Sequence, residues 1–385
     1  MTFTETPERQ ELRRAVAALG STYGSAYFDR AAREGRKTTE LWSEAGRLGY
    51  LGVAVPEEYG GGGGEIGDLA AVCEELAAAG CPLLLMVVSP AIVGTVIAQY
   101  GTEEQKRRWL PGIADGSATY AFSITESEAG SNSHEITTTA YRQDDGWRLT
   151  GGKTFISGVD EVDHVLVVGR TSDARTGTLK PALFMVPTDA AGFTYQQIEM
   201  GINSPEKQFT LFFDDVQLPD DALIGSSDAG LAQLFAGLNP ERIMAASFAT
   251  GTARLALQRA VGYAKDRTVW QAPIGSHQAI AHPLAQSHIE IEMARVMTQK
   301  AAALYAAGDA MGAGEAANMA KYAAGEVVCA TVDRAIQTLG GNGLADEYGL
   351  VQMLAGSRLS RIAPVSREMV LNFVAQYTLG LPKSY

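Results

Sequence analysis

The chain reads as an α+β multidomain protein: an N-terminal α-helical domain, a small middle β-barrel or sandwich domain, and a C-terminal four-helix bundle. Three observations predict this. Apolar residues recur at helical spacing up to about residue 120. Between about Tyr120 and Pro219 the apolar period becomes two, and from about Gly225 the helical period returns and persists to the end. The domains expected are therefore 1–120, 121–222 and 223–385. The length of 385 residues is enough for two or three domains, and 46% hydrophobic residues are enough for sizeable cores.

In the first domain, Glu40 to Gly49 has helical apolar spacing and stops at glycine. Asp68 to Ala79 repeats the pattern with Asp68 as N-cap. Thr102 followed by Gln105 three residues on predicts a capping box. The apolar stretch from Pro82 to Ala98 is interrupted by Ser89, Pro90 and Gly94, so it reads as a buried helix rather than a membrane span. In the middle domain, Trp147–Thr150, His164–Val168, Ala182–Val186 and Thr210–Phe213 are short β-rich runs. Turn clusters such as Asp144-Asp145-Gly146 and Gly151-Gly152 separate them. Ala-rich helices are expected over Pro240–Asp266, Gln278–Ala307, Glu315–Leu339 and Ser357–Tyr377, with turns at Gly308, Gly312 and Gly340-Gly341.

Charge and cysteine usage exclude several classes. A formal net charge of −13 offers no basic footprint for nucleic acid, although it does not bar a local basic pocket for a phosphorylated ligand. The cysteines Cys73, Cys81 and Cys329 make neither a disulfide framework nor a CxxC metal site. They fit a reducing cytosol, and the polar N-terminus lacks an apolar signal core. Gly62-x-Gly64-x-x-Gly67 matches a dinucleotide fingerprint as a string. Pro56-Glu57-Glu58-Tyr59 precedes it where a strand is required, so a surface loop is the better reading.

Four strings carry chemistry. Ala121-Phe-Ser-Ile-Thr-Glu-Ser-Glu-Ala-Gly-Ser131 alternates hydroxyls with apolar side chains, as a pocket for a ring with polar edges and apolar faces requires. The others are Gly152-Lys-Thr-Phe-Ile-Ser157, Tyr263-Ala-Lys-Asp-Arg-Thr-Val-Trp-Gln-Ala-Pro-Ile-Gly-Ser-His-Gln278, and Gln337-Thr-Leu-Gly-Gly-Asn-Gly343. Together with Leu51–Gly60 and Tyr100–Pro111, these resemble the acyl-CoA dehydrogenase family over nearly the whole chain. The resemblance implies FAD as cofactor, with Phe122, Ile124, Thr125, Phe155, Ile156 and Ser157 lining the isoalloxazine ring. Thr125 would hydrogen-bond the ring. Ser157 would donate near N5, where negative charge develops as hydride arrives. Ser131 would touch the pantetheine arm of the substrate. Arg267 would meet the cofactor pyrophosphate, with Trp270 and Gln278 beside it. Gln337, Gly340 and Gly341 would reach the cofactor of a neighbouring subunit, which implies a homo-oligomer, usually a tetramer. Asn132, Trp270 and Gln271 depart from the residues the family usually places there.

The base that takes the α-proton is a carboxylate in this family. Where many members carry it in an Ile-Tyr-Glu-Gly-Thr string, this chain has Arg361-Ile-Ala-Pro-Val-Ser366, and Pro364 accepts no proton. Isovaleryl-type members carry the base in an Asp-x-Glu-Arg string, which matches Leu238-Asn-Pro-Glu-Arg-Ile243 and assigns the role to Glu241. Helix grammar would make Asn239 an N-cap and Pro240 the first helical position, with Glu241 in the first turn, where the dipole favours an acid. Asn239, Arg242, Pro364 and Val365 would line the substrate side. Ser366 and Glu368 would contact the adenosine half of the cofactor, with Arg367 a less usual residue between them. The resemblance thus implies α,β-dehydrogenation of an acyl-CoA to the trans-2-enoyl thioester, with an electron-transferring flavoprotein as acceptor. A carrier-protein thioester as substrate, an oxygen-reducing oxidase and a non-catalytic thioester binder are the alternatives, and acyl chain length is not legible.

Overall fold

The computed structural model describes residues 5–172, 176–226 and 230–383, apart from the Leu231 side chain. The helical N-terminal part contains α1 (Pro7–Glu34), α2 (Thr39–Arg47) and α3 (Ile66–Ala78). It continues through α4 (Leu84–Met86), a π-helical segment (Val87–Gly94) and α5 (Thr95–Tyr100), then α6 (Glu103–Asp115). The π-helical segment contains Pro90, whose missing N–H breaks the regular ladder. The α3 cap differs from the expectation: Glu65 is the N-cap and Asp68 sits at N3 of a capping box. The glycines at 61–64 are not a loose loop. They pack on the preceding turn, with Gly62 N–H donating to Gly52 O and Gly64 N–H to Val53 O. A Cβ at Gly61 would lie 2.1 Å from Val55 O.

The middle part is an eight-stranded sheet: β1 (Tyr120–Ser123), β2 (Thr139–Gln143), β3 (Gly146–Ser157), β4 (His164–Ser172), β5 (Leu179–Pro187), β6 (Phe193–Ile198), β7 (Gln208–Leu218) and β8 (Leu223–Ile224). Its order is β6-β7-β3-β2-β4-β5-β8, with β1 lying parallel beside β4. One core fills it, including Leu149, Ile156, Val165, Phe184, Leu211 and Val216. The C-terminal part is a bundle of three long helices, α7 (Gly230–Asp266), α8 (Gln278–Ala306) and α9 (Ala310–Leu339), followed by α10 (Met353–Leu359) and α11 (Arg367–Phe373). A hairpin of β9 (Thr268–Val269) and β10 (Ala272–Pro273) joins α7 to α8. The helix expected over Ser357–Tyr377 is broken around Pro364, which has no N–H to continue a helical ladder. Among the described residues no helix is long and apolar enough to cross a membrane.

Polar side chains fasten these parts together. Glu206, from the loop before β7, accepts from Leu84 N at 3.0 Å and so caps the start of α4. Gln105 completes the expected capping box with Thr102 and also donates to the carbonyls of Asp221 and Leu223, both at 2.8 Å. Arg13, Arg254 and Arg295 converge on buried Glu74 and Glu75, joining α1, α7 and α8 to α3. Gln105→Ala removes the side-chain half of the α6 capping box and leaves two carbonyls without this donor. At about 1–3 kcal/mol for lost buried hydrogen bonds, the variant should unfold several degrees earlier in a thermal melt with its folded circular dichroism spectrum unchanged.

Candidate active site

A β-bulge builds the first wall. The pairing of β3 with β7 shifts register between Lys153 and Ile156, and Phe155 within the shift has φ 57°. The bulge turns Phe155 out of the sheet, where it is 57% exposed. Ile156 is 2% exposed in the sheet core, so its side chain does not share the face of Phe155. Its side chain packs in the sheet core, so any approach of Ile156 to a cofactor would be through its backbone. Phe122 and Ile124 are half-buried, Ser131 is exposed, and nothing lies within 4 Å of a Cβ built at Gly130. The Ser157 hydroxyl donates to Gln208 Oε1 at 3.1 Å.

Two residues missed in the sequence tie this wall together. Lys153, 1% exposed, donates from Nζ to Ile124 O and to Glu126 Oε1, both at 2.9 Å. The Glu126 carboxylate also accepts from Thr137 N at 2.6 Å and Thr138 N at 3.0 Å. Burial pushes Glu126 up, but Lys153 and the threonines outweigh it and hold the carboxyl at about 2. Thr154 N donates to Thr125 O at 2.9 Å, completing the seam between the 122–131 segment and β3. The available signal was a lone lysine inside a β-run and a glutamate before a glycine turn.

Glu241 occupies a different local structure from the one expected. It sits inside α7, eleven residues past Gly230, and Pro240 is internal to the helix rather than its first residue. Asn239 is therefore helical, and its Oδ1 accepts from Arg242 Nη1 at 3.2 Å instead of capping. Burial explains why proline fails to stop the helix. Leu234 and Ala236 are buried, and a Cβ at Gly237 would lie 2.9 Å from Ile92, so this face packs closely on the π-helical segment. Proline leaves Ala236 O without its helical donor, and the Tyr305 hydroxyl supplies one at 3.3 Å.

Glu241 lies deep in the protein but keeps a partly accessible surface, and no described residue hydrogen-bonds its carboxylate. Burial raises its pKa to about 7, against the opposing pull of Arg242 on α7 and Lys321 on α9. The helix-dipole contribution expected of a first-turn acid does not apply at mid-helix. Pro364 is exposed and Val365 half-buried in the turn between α10 and α11. Val365 O accepts from Lys321 Nζ. Ser366 caps α11 by accepting from Met369 N at 3.3 Å, and exposed Glu368 pairs with Arg367 at 3.0 Å.

The remaining candidates gather elsewhere. Arg267, Trp270, Gln278, Gln337, Gly340 and Gly341 are all exposed. Asn342 Nδ2 donates to the Tyr263 hydroxyl at 3.0 Å, which sets the Gly340–Leu344 turn beside the end of α7. Trp270 and Gln271 form the two-residue turn of the β9–β10 hairpin, both at positive φ, and Trp270 is 85% exposed. At ~1.5 Å per residue, Arg267 lies about 39 Å along the α7 axis from Glu241. One copy of the chain does not bring these two groups together. A surface hollow of ≈ 430 Å³ lined by Ser25, Asp29, Arg33, Arg259 and Asp346 contains none of the candidates.

The residues present fit a flavin. Phe155 presents an uncovered aromatic face from a bulge, and the buried Ser123 hydroxyl in the same wall has no partner among the described residues. Lys153→Met leaves Glu126 buried without its cation, a change that costs on the order of 3–5 kcal/mol. The variant should bind FAD at least tenfold more weakly in a flavin-fluorescence titration of apoprotein. The double variant Lys153→Met/Glu126→Gln should recover part of that loss.

Comparison with known proteins gives the family. Residues 6–117, 121–216 and 228–379 match the N-terminal, middle and C-terminal domains of acyl-CoA dehydrogenases. The chain is 63% identical over 383 residues to acyl-CoA dehydrogenase FadE12 of Mycobacterium tuberculosis, covering 100% of this chain and 99% of the relative. Its fold is similar to that of a glutaryl-coenzyme A dehydrogenase in complex with glutaryl-CoA, with a TM-score of 0.93 and 27% identity over 100% of this chain and 98% of the other. A glutaryl-CoA dehydrogenase of Mycobacterium smegmatis in complex with FADH2 matches with a TM-score of 0.89 and 26% identity, over 99% and 96% of the two chains. Three matching domains and a relative 63% identical along the whole chain lead to one assignment: the chain belongs to the acyl-CoA dehydrogenase family, FAD-dependent oxidoreductases.

Proposed function

We propose that this chain converts an acyl-CoA to its trans-2-enoyl-CoA, with Glu241 as the base. The observation that supports this most is the carboxylate itself: deep in the protein, without a hydrogen-bond partner among the described residues, and raised to about 7. A carboxylate held by two or three donors would be a weak base, whereas a desolvated one is matched to a carbon acid. FAD, when bound, supplies the hydride acceptor.

Phe122, Ile124, Thr125, Phe155 and Ser157 would hold the flavin ring. Gln208 accepts the Ser157 proton, so the hydroxyl would have to turn from Gln208 to donate towards the ring. Glu241 takes the α-proton of the thioester, and loss of that proton lets hydride leave the β-carbon. Arg242 is held by Leu238 O and Asn239 Oδ1 at 3.3 and 3.2 Å, which keeps its guanidinium from pairing directly with the base. Ser131, Asn239, Pro364 and Val365 complete the substrate side, and Ser366 and Glu368 the adenosine side. Arg267, Trp270, Gln278, Gln337, Gly340 and Gly341 serve the cofactor of a second copy, because about 39 Å of helix separates them from their own Glu241. This makes the active form a homo-oligomer, with a tetramer as the form expected, and an electron-transferring flavoprotein as the expected acceptor.

Glu241→Gln keeps the shape and removes the base. Anaerobic mixing of the yellow variant with acyl-CoAs should bleach the flavin at least 10²–10⁴-fold more slowly than wild type, with FAD content unchanged. Bleaching at the wild-type rate would exclude Glu241. In the wild-type protein the rate should rise as pH increases through about 7, since only the ionised carboxylate accepts a proton.

A further inference from the structure

Helix α9 holds the turn between α10 and α11 at three places. Lys321 Nζ donates to Val365 O. Gly325, one helical turn on, lies under Ser360, where a Cβ would come 2.5 Å from the carbonyl oxygen. Glu326 receives Arg361 at 2.7 Å and Arg367 at 3.3 Å, one from each side of Pro364. The turn closes on itself through Arg367 N to Arg361 O at 2.9 Å.

Lys321 is the odd member of this set. It is 2% exposed, and among the described residues no carboxylate lies within ion-pairing distance of it. Burying an ammonium to satisfy one carbonyl is expensive, since a neutral amide would hold the same carbonyl without the desolvation of a charge. The charge therefore needs a purpose beyond the hydrogen bond. The charged groups that face it are Arg242 and Glu241 from α7, Glu368 from α11 and Glu326 from its own helix.

We propose that Lys321 is a positioning residue of the dehydrogenase site: its ammonium pins the Pro364–Val365 turn to α9 and acts as a positive charge on the Glu241 carboxylate from beyond ion-pairing distance. This rests on the reading of Glu241 as the base. Where other members place the base, this chain has proline, and Lys321 anchors the backbone of the very next residue. The turn thereby changes from a carrier of the base to a wall set against it.

Two titrations frame the working state. Burial draws Lys321 down to about 8, with Arg242 adding to the effect and Glu368, Glu241 and Glu326 opposing it. Glu241 is raised to about 7. The carboxylate–ammonium arrangement holds between these values. Below about 7 the base is protonated, and above about 8 the turn loses its charged anchor.

The test is the pH dependence of single-turnover flavin reduction by saturating acyl-CoA, measured on holoenzyme with and without substitutions at Lys321. Wild type should rise through about 7 and fall above about 8. In Lys321→Met the acid limb should move up by on the order of one pH unit, as loss of a nearby opposite charge requires, and the alkaline limb should vanish. Lys321→Arg should restore the acid limb and still lack the alkaline one, because a guanidinium does not titrate in this range. Arg361→Gln removes another anchor of the same turn but none of the charges facing Lys321, so both limbs should stay while KM rises. If Lys321→Met merely copies Arg361→Gln, with both limbs in place, the residue is structural and the proposal is wrong. Should the methionine variant not fold, an alkaline limb retained by Lys321→Arg overturns it equally. Full reduction by Glu241→Gln would instead remove the base assignment on which the proposal rests, whatever Lys321 does.

Discussion

Burial of a carboxyl that has no hydrogen-bond partner among the described residues, within α7, a helix of 37 residues, is the constraint on which the rest of this structure depends. A group whose charged form loses most of its water needs a scaffold that does not relax to pair it. Helix α7 supplies that rigidity with small residues. Ala246, Ala249, Ala253, Ala256, Ala260 and Ala264 are buried along it, letting α8 and α9 approach closely. Gly251 fits against α3, where a Cβ would lie 2.3 Å from Glu74 O. The charged cluster of Glu74, Glu75, Arg13, Arg254 and Arg295 then fixes α1, α3, α7 and α8 in one register. Polar satisfaction is spent on that frame and withheld from Glu241.

The same economy governs the wall around Phe155. Lys153 and Glu126 are engaged with each other and with the backbone behind it, while Phe155 stands out from the bulge with its face uncovered. Rigid elements thus present three unsatisfied features towards bound molecules: an aromatic face, a carboxylate and, at the far end of α7, a strained hairpin carrying Trp270. The length of α7 separates the last of these from Glu241 of the same chain, the separation on which the proposal of a site completed by a second copy rests.

Much of this was legible in the sequence because it rests on local periodicity. The change from helical period to alternation and back gave the order of the domains, and the Thr102–Gln105 box was readable from four residues. What escaped depends on long-range packing. Pro240 looked like a helix start because local grammar makes it one. Contacts of the 230–239 segment with the π-helical segment, some 140 residues away in sequence, override that grammar. Asp68 and Glu65 exchanged roles in a cap for a similar reason, since Arg9 from α1 pairs with Asp68 at 2.7 Å. The burial of the Ile156 side chain in the sheet core follows from the β3–β7 bulge, which no local pattern announces. Lys153, Glu126 and Lys321 were passed over because a lone charge in an apolar run looks like surface until burial is known.

The central claim is that Glu241 alone takes the α-proton. An acyl-CoA carrying sulfur in place of the β-carbon cannot release hydride, so the base acts on it without turnover. Holoenzyme incubated with this analogue in deuterium oxide should exchange its α-hydrogens at a rate that rises with pH through about 7, and Glu241→Gln with full FAD should exchange them no faster than solvent does. Exchange at the wild-type rate in that variant would contradict the account.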